Sequence, residues 1–163
     1  MNWHYKPNGN EMTSESIKQH LYAQCEHYVQ QRIETAKLAM EAAQESANSE
    51  SKSSAGDKYE TGRAMAQLER DRHAQLLAQA RKMEQELVRV NVTKVYETVQ
   101  AGSLVSTNRG AFFISISAGK LRVAEADYFA VSPASPVAAA LSGHKAGDVV
   151  IVNNATYQIV AVS

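Results

Sequence analysis

The side chains in this sequence that could do covalent or metal chemistry are few and poorly paired. Its single cysteine, Cys25, falls among Tyr22, Val29 and Ile33 with no evident base beside it, which favours a small buried thiol over a nucleophile. Being alone, it also excludes an internal disulfide and the paired spacing of a zinc site, as expected of a reducing, cytoplasmic setting. His20 and His27 stand seven residues apart, on one helical face but two turns from each other. Metal-binding histidines on a helix usually stand four apart, so surface histidines account for these two. Asp57 and Glu60 lie three apart after a turn-rich stretch. Acids at a helix start are favoured by the unpaired amides and the dipole there, and Glu60 can complete a capping arrangement. No nucleophile with a positioned base emerges, which argues against an independent hydrolytic or condensing enzyme and against a small-molecule substrate.

The elements that carry these residues change character near residue 90. From Ser14 to Val88 there is no proline, and Ala, Gln, Glu, Lys and Arg abound, the vocabulary of long helices. The stretch from Asn48 to Gly56 crowds Asn, Ser and Gly and reads as a tip between two helices. Before it, Tyr22, Cys25, Val29, Ile33, Ala36, Met40, Ala43 and Ala47 recur at steps of three and four. After it, Met65, Leu68, Leu76, Ala80, Met83 and Leu87 form a second stripe, interrupted by Arg72. Arg72 could pair with a glutamate across the seam or lay its stem over it. Two such stripes joined by a polar loop predict an antiparallel helical hairpin, a coiled coil with arms of roughly 50 Å for about 35 residues each. They would also serve a compact bundle, but the alanine-rich far end favours a slender rod.

Beyond Val90, short runs of Val, Ile, Tyr and Phe alternate with turn signals. Strands are predicted at 103–106, 111–117, 121–123, 128–131, 149–152 and 157–162, forming a small, mostly antiparallel sheet. One short helix interrupts them: Ser135 caps it, Pro136 opens it, Val137 to Leu141 forms its body and Gly143 ends it. The fold class is α+β, divided as a flexible segment 1–13, a hairpin 14–90 with its tip at 48–57, and a β-rich domain 91–163. Lys+Arg and Asp+Glu both number 17, so no basic excess supports strong independent binding of nucleic acid. No apolar run is long enough to cross a membrane, and the polar first ten residues have no signal-peptide core.

The stretch from Ser132-Pro133 through Ser135-Pro136, Ala140-Leu141-Ser142-Gly143 and Gly147-Asp148 to Val149-Val150 resembles the C-terminal signature of bacterial Gre-type transcription elongation factors. The closing run Tyr157 to Val162 and the hairpin-first arrangement resemble that family too. The resemblance implies an FKBP-like C-terminal domain docking on RNA polymerase, with Ser135, Pro136, Gly143, Gly147 and Asp148 in the docking segment. It also implies a hairpin entering the secondary channel, where tip acids share the polymerase's magnesium so that the polymerase cleaves backtracked RNA. The factor then has no catalysis and no cofactor of its own. Carboxylates suit such a hard cation, and a metal-bound water is the better nucleophile.

The tip departs from the family's pattern. Anchored on Tyr59 and Arg63, the two essential acids fall on Lys52 and Ala55, neither of which binds a metal in that role. A shifted register would use Asp57 and Glu60, with Glu50 nearby. Capping alone accounts for the first two more readily than metal binding does. The docking residues have the same double reading, since each also encodes a cap or a turn. A non-cleaving regulator that occupies the channel, or an adaptor unrelated to polymerase, stands beside the cleavage factor.

Overall fold

A computed structural model describes residues 12–52 and 56–163, with side chains outside 50–59. The chain is α+β: helices α1 (Ser14–Lys52) and α2 (Gly56–Val88), then strands β1 (Leu104–Thr107), β2 (Gly110–Ile114), β3 (Gly119–Val123) and β4 (Ala126–Val131). Helix α3 (Pro136–Leu141) and strands β5 (Val149–Val152) and β6 (Ala155–Val162) complete it. Packing divides it into two compact units, one of Leu87–Ser163 with Cys25 and the residues before it, the other Glu26–Glu86. The compositional break near residue 90 marks a change of secondary structure; packing follows a different line, placing the first turns of α1 with the sheet. The expected segment 1–13 lies almost wholly outside the described residues.

Within residues 26–86 the two helices run antiparallel. Gln30 Nε2 donates to Glu84 Oε2 at 2.9 Å, while residues 44–48 of α1 share a cleft with residues 63–70 of α2, so as one chain advances the other retreats. Val29, Ile33, Ala36 and Ala43 of α1 are buried, as their spacing predicts. Helix α2 follows expectation only in part. Ala80 and Leu87 of the predicted stripe are buried, but Met65, Leu68 and Leu76 are 64%, 69% and 45% exposed, and Ala66, outside the stripe, is buried instead. His73, seven residues from both alanines, is half-buried. The seam repeats every seven residues through Ala66, His73, Ala80 and Leu87, and its alanines let the backbones approach, whereas the bulkier Met65, Leu68 and Leu76 lie off it. Arg72 accordingly lies off the seam, 73% exposed and 4.0 Å from Glu69 on its own helix, rather than across the hairpin.

In the other unit the sheet order is β3-β4-β2-β1-β6-β5. Four pairings are antiparallel, and β2 with β4 is parallel, Phe112 facing Phe129. The chain leaves β2, passes to the outer β3, and returns as β4. That return hairpin turns on Ala124 and Glu125 at φ 49° and 65°, a left-handed pair that only Asn, Asp and Gly adopt readily; Asn153-Asn154 make the equivalent turn between β5 and β6. Of the two edge strands, β3 carries Lys120 and Arg122, both paired with Asp127, whereas β5 reads Val-Val-Ile-Val with Val149 and Ile151 exposed. The sheet's core gathers Val99, Val105, Phe112, Ile114 and Ile159 with Ala138 and Leu141 of α3.

The base of α1 is joined to this unit by an unexpected group. Thr13 caps the helix, its Oγ1 accepting from Ser16 N at 3.1 Å, and one turn later Lys18 is 1% exposed. Its Nζ donates to Lys94 O at 2.7 Å and reaches Gly102 O at 3.5 Å, 5.2 Å from the centre of the Tyr96 ring. Gly102 sits at φ 95°, and a Cβ there would stand 2.9 Å from the Tyr96 hydroxyl, so no larger residue fits. Gln24 Nε2 adds a bond to Arg122 O at 2.9 Å. Burial holds the Lys18 pKa below its ordinary 10.5, so native protein gives up this proton before unfolded protein does, and stability rises with pH through the window that ends there. Lys18→Met should remove that rise and, by leaving the Lys94 carbonyl unpaired, lower stability by about 1–3 kcal/mol. Urea unfolding at neutral and alkaline pH measures both; an unchanged midpoint would refute the role.

Candidate functional site

Two regions hold the residues that sequence reasoning selected. The first is the α3 segment. Ser135 is extended at φ −62° and ψ 149°, and its hydroxyl accepts from Ala138 N at 3.3 Å, so it is the N-cap of a helix that Pro136 opens. Burial of Ala138 and Leu141 anchors the helix on the sheet's core. Gly143 (φ 78°) ends it and donates to Val99 O at 2.8 Å, while Val99 N donates to His144 O at 2.8 Å. Gly147 (φ 94°) donates to Ile159 O at 2.8 Å, and Ile159 N donates to Asp148 O at 2.9 Å. A Cβ on either glycine would meet nothing within 4 Å, so conformation rather than crowding selects glycine at both.

Asp148 closes this turn. Its Oδ2 accepts from Lys145 N at 3.0 Å and from His144 Nδ1 at 3.2 Å. The backbone bond from Lys145 is the main reason its carboxyl titrates below the ordinary Asp range, with the neighbouring imidazole and ammonium adding to it. Ser135, Pro136, Gly143, Gly147 and Asp148 therefore all do the work of caps and turns, whatever partner meets their surface. The segment they shape displays His144 and Lys145, with Lys145 bridging to Thr98.

The second region is the hairpin's far end. Asp57 and Glu50 carry side chains outside the described set; Glu60 is exposed in the second turn of α2. Among the described residues no three His, Cys, Asp or Glu gather as a metal site. His20 and His27 are exposed, and His20 Nδ1 donates to Ser16 O at 2.7 Å within its own helix. Cys25 is fully buried, 3.9 Å from Ser115 Oγ, and burial pushes its thiol up to about 11. It forms no part of either region. Sequence reasoning missed the cleft between the helices at Gln44, Asn48, Arg63 and Arg70. Its signal was present in two arginines seven residues apart on α2 and two amides four apart on α1.

No protein-family model, curated protein or solved structure matches the chain. The resemblance set out above rests on the residues themselves.

Two outcomes follow from these environments. Cys25 should resist an aromatic disulfide reagent at about pH 8 in native protein and react fully in denaturant, because its thiolate is absent and its sulfur covered; rapid native labelling would contradict its burial. A depressed Asp148 contributes stability above the ordinary Asp value of 3.8 and loses it as pH falls through the folded-state value. Asp148→Asn should thus lower the melting temperature at neutral pH, with the gap from the parent narrowing towards acid. A gap independent of pH would show that its charge plays no part.

Proposed function

We propose that this chain is a Gre-type factor of RNA polymerase, docking through its β-rich, FKBP-like domain and placing the helical hairpin in the enzyme's secondary channel. One observation carries the reading: the Ser-Pro, Ala-Leu-x-Gly and Gly-Asp motifs, which resemble that family in sequence, fall on a single continuous cap, helix and turn from Ser135 to Asp148. The order of parts, two long helices followed by a six-stranded sheet with one short helix, suits the same role. In this reading the chain does no chemistry alone. Its tip would share the polymerase's magnesium through Asp57 and Glu60, with Glu50 close in sequence, since a hard cation takes oxygen ligands and keeps waters that the polymerase can use.

A second reading within the same class is favoured by one feature. Lys52 and Ala55 stand where the family's pattern anchored on Tyr59 requires acids. A tip without those carboxylates would still occupy a channel, block diffusion through it and alter initiation or pausing without promoting cleavage. Purified RNA polymerase should be retained by the immobilised protein and lost with a chain lacking residues 132–163. A backtracked complex with magnesium then separates the two readings. Cleavage accelerated by the parent and reduced at least tenfold by Asp57→Ala with Glu60→Ala places those acids at the metal. Retention without acceleration makes the protein a channel-occupying regulator, and absence of retention removes the polymerase reading in favour of an adaptor.

A further inference from the structure

Helix α2 carries two stripes. One runs through Ala66, His73 and Ala80 and forms the seam with α1; the other, Met65, Leu68 and Leu76, faces outward, 64%, 69% and 45% exposed. A single apolar side chain at a surface is ordinary. These three stand at steps of three and eight, so at about 100° per residue they share one face, with Arg72 in the row between Leu68 and Leu76. That face lies about a quarter turn from the seam, and the row runs for about 16 Å along the axis. Two apolar faces a quarter turn apart suit a helix with two helical neighbours, as in a four-helix bundle. Helix α1 supplies only one. The outward face also has an internal order. Met65 and Leu76 lie equally far on either side of a point between Arg70 and Asp71, and so do Glu69 and Arg72. Reversing the helix about that point therefore sets Met65 against Leu76 and Glu69 against Arg72. The Glu69 and Arg72 side chains are 57% and 73% exposed and stand 4.0 Å apart along their own helix, with His73 3.4 Å from the same carboxylate. Exposed pairs of this kind contribute little, so they yield readily to a partner across an interface.

We infer that this face of α2 is a docking surface for a second copy of the chain, whose own α2 lies antiparallel to the first about the point between Arg70 and Asp71. A contact between two identical surfaces must be self-complementary, each residue of a pair meeting its counterpart twice. This face meets that condition in both apolar and charged positions. A parallel arrangement would place Arg72 against Arg72 within an apolar row, whereas the antiparallel one places Glu69 there. A polar residue in such a row fixes register, because sliding by one turn separates both ion pairs and opens the apolar contacts together. An unrelated helical partner would give no reason for the row to match its own reversal. The row is short, so the dimer is a weak and reversible one, at the low end of specific interfaces. It rests on α2 alone and does not depend on polymerase, so its test stands apart from that of the proposed function.

Sedimentation velocity of the full chain over a wide range of protein concentration, in low salt, tests the surface. Expected is a reversible equilibrium between monomer and dimer. Met65→Gln with Leu68→Gln should weaken association at least tenfold, while Leu38→Gln on α1 and Ile151→Thr on β5, which change other exposed apolar side chains, should leave it unchanged. Far-ultraviolet circular dichroism of each variant checks that the helices are retained. The antiparallel register has its own test. Glu69→Arg makes both charges of the pair positive and Arg72→Glu makes both negative, so each variant should be monomeric alone, and an equimolar mixture of the two should associate as the parent does. Mixing brings opposite charges together only between chains, since neither helix regains the pair within itself. A parent chain that stays monomeric at every concentration, a dimer that survives Met65→Gln with Leu68→Gln, a dimer lost with Ile151→Thr, or a mixture of the charge variants that fails to associate would each overturn the proposal.

Discussion

A buried ammonium group holds the first unit together. Lys18 is a cation taken almost entirely out of water, and such a group is tolerated only where donors and charge are compensated. Two backbone carbonyls and the face of Tyr96 do this, and the consequence reaches well beyond one side chain. The carbonyls belong to the segment that leads from α2 to β1, so compensating Lys18 requires that segment to fold back against α1. Asn91 braces the fold, its Oδ1 accepting from Thr93 N and Lys94 N, and Gly102 is the only residue type that admits the Tyr96 hydroxyl so closely. From there Leu104 N meets Ser163 O at 2.8 Å, pairing the first strand with the end of the last. The sheet therefore begins where the lysine's needs are met.

Much of the architecture could be read from residue order because the local signals agreed with one another. Ser135-Pro136 and Gly143 bracket a helix in sequence, and the cap, the ring-constrained first turn and the left-handed exit all occur there. The predicted strands likewise recur within a few residues of their observed ends. What failed did so where a residue's ordinary preference was overridden by its surroundings. A lysine in a helix is expected in water, so Lys18 gave no sign of burial. Bulk misdirected part of the reading of α2, since Met65, Leu68 and Leu76 carry more hydrophobic weight than Ala66, whereas Ala80 and Leu87 are buried as their spacing predicts. The parallel pairing of β2 with β4 depends on a return path set by Ala124 and Glu125, neither of which announces a left-handed turn.

A run of turn and cap residues can mark a shape without marking a contact. Each of the five motif residues in the α3 segment is accounted for by backbone geometry: a cap, a constrained first turn, two positive φ angles and a carboxylate that closes a loop. A motif of this kind marks a shape, and recognition then belongs to the side chains that the shape displays. At the far end of the hairpin, Arg63, Arg70 and their amide neighbours line a cleft within a helix pattern that any solvent-exposed surface could share. Fold-determining positions were conspicuous in the sequence because turns and caps admit few residue types; the cleft was not, because arginine and glutamine are ordinary helix-surface residues.

The two edges of the sheet are protected unequally. On β3, charged side chains make the approach of another strand unfavourable, the usual guard against edge-to-edge association. The opposite edge, β5, has four hydrophobic residues in succession and no charge, so its brevity is its main defence: four residues offer too few backbone bonds to hold a second chain in register. The turn at Asn153-Asn154 enforces that brevity by reversing the chain before the strand can lengthen. Colloidal behaviour of the protein at high concentration is thereby tied to a two-residue reversal, and any change that extended β5 past Val152 would turn a terminated sheet into a template for fibrous growth.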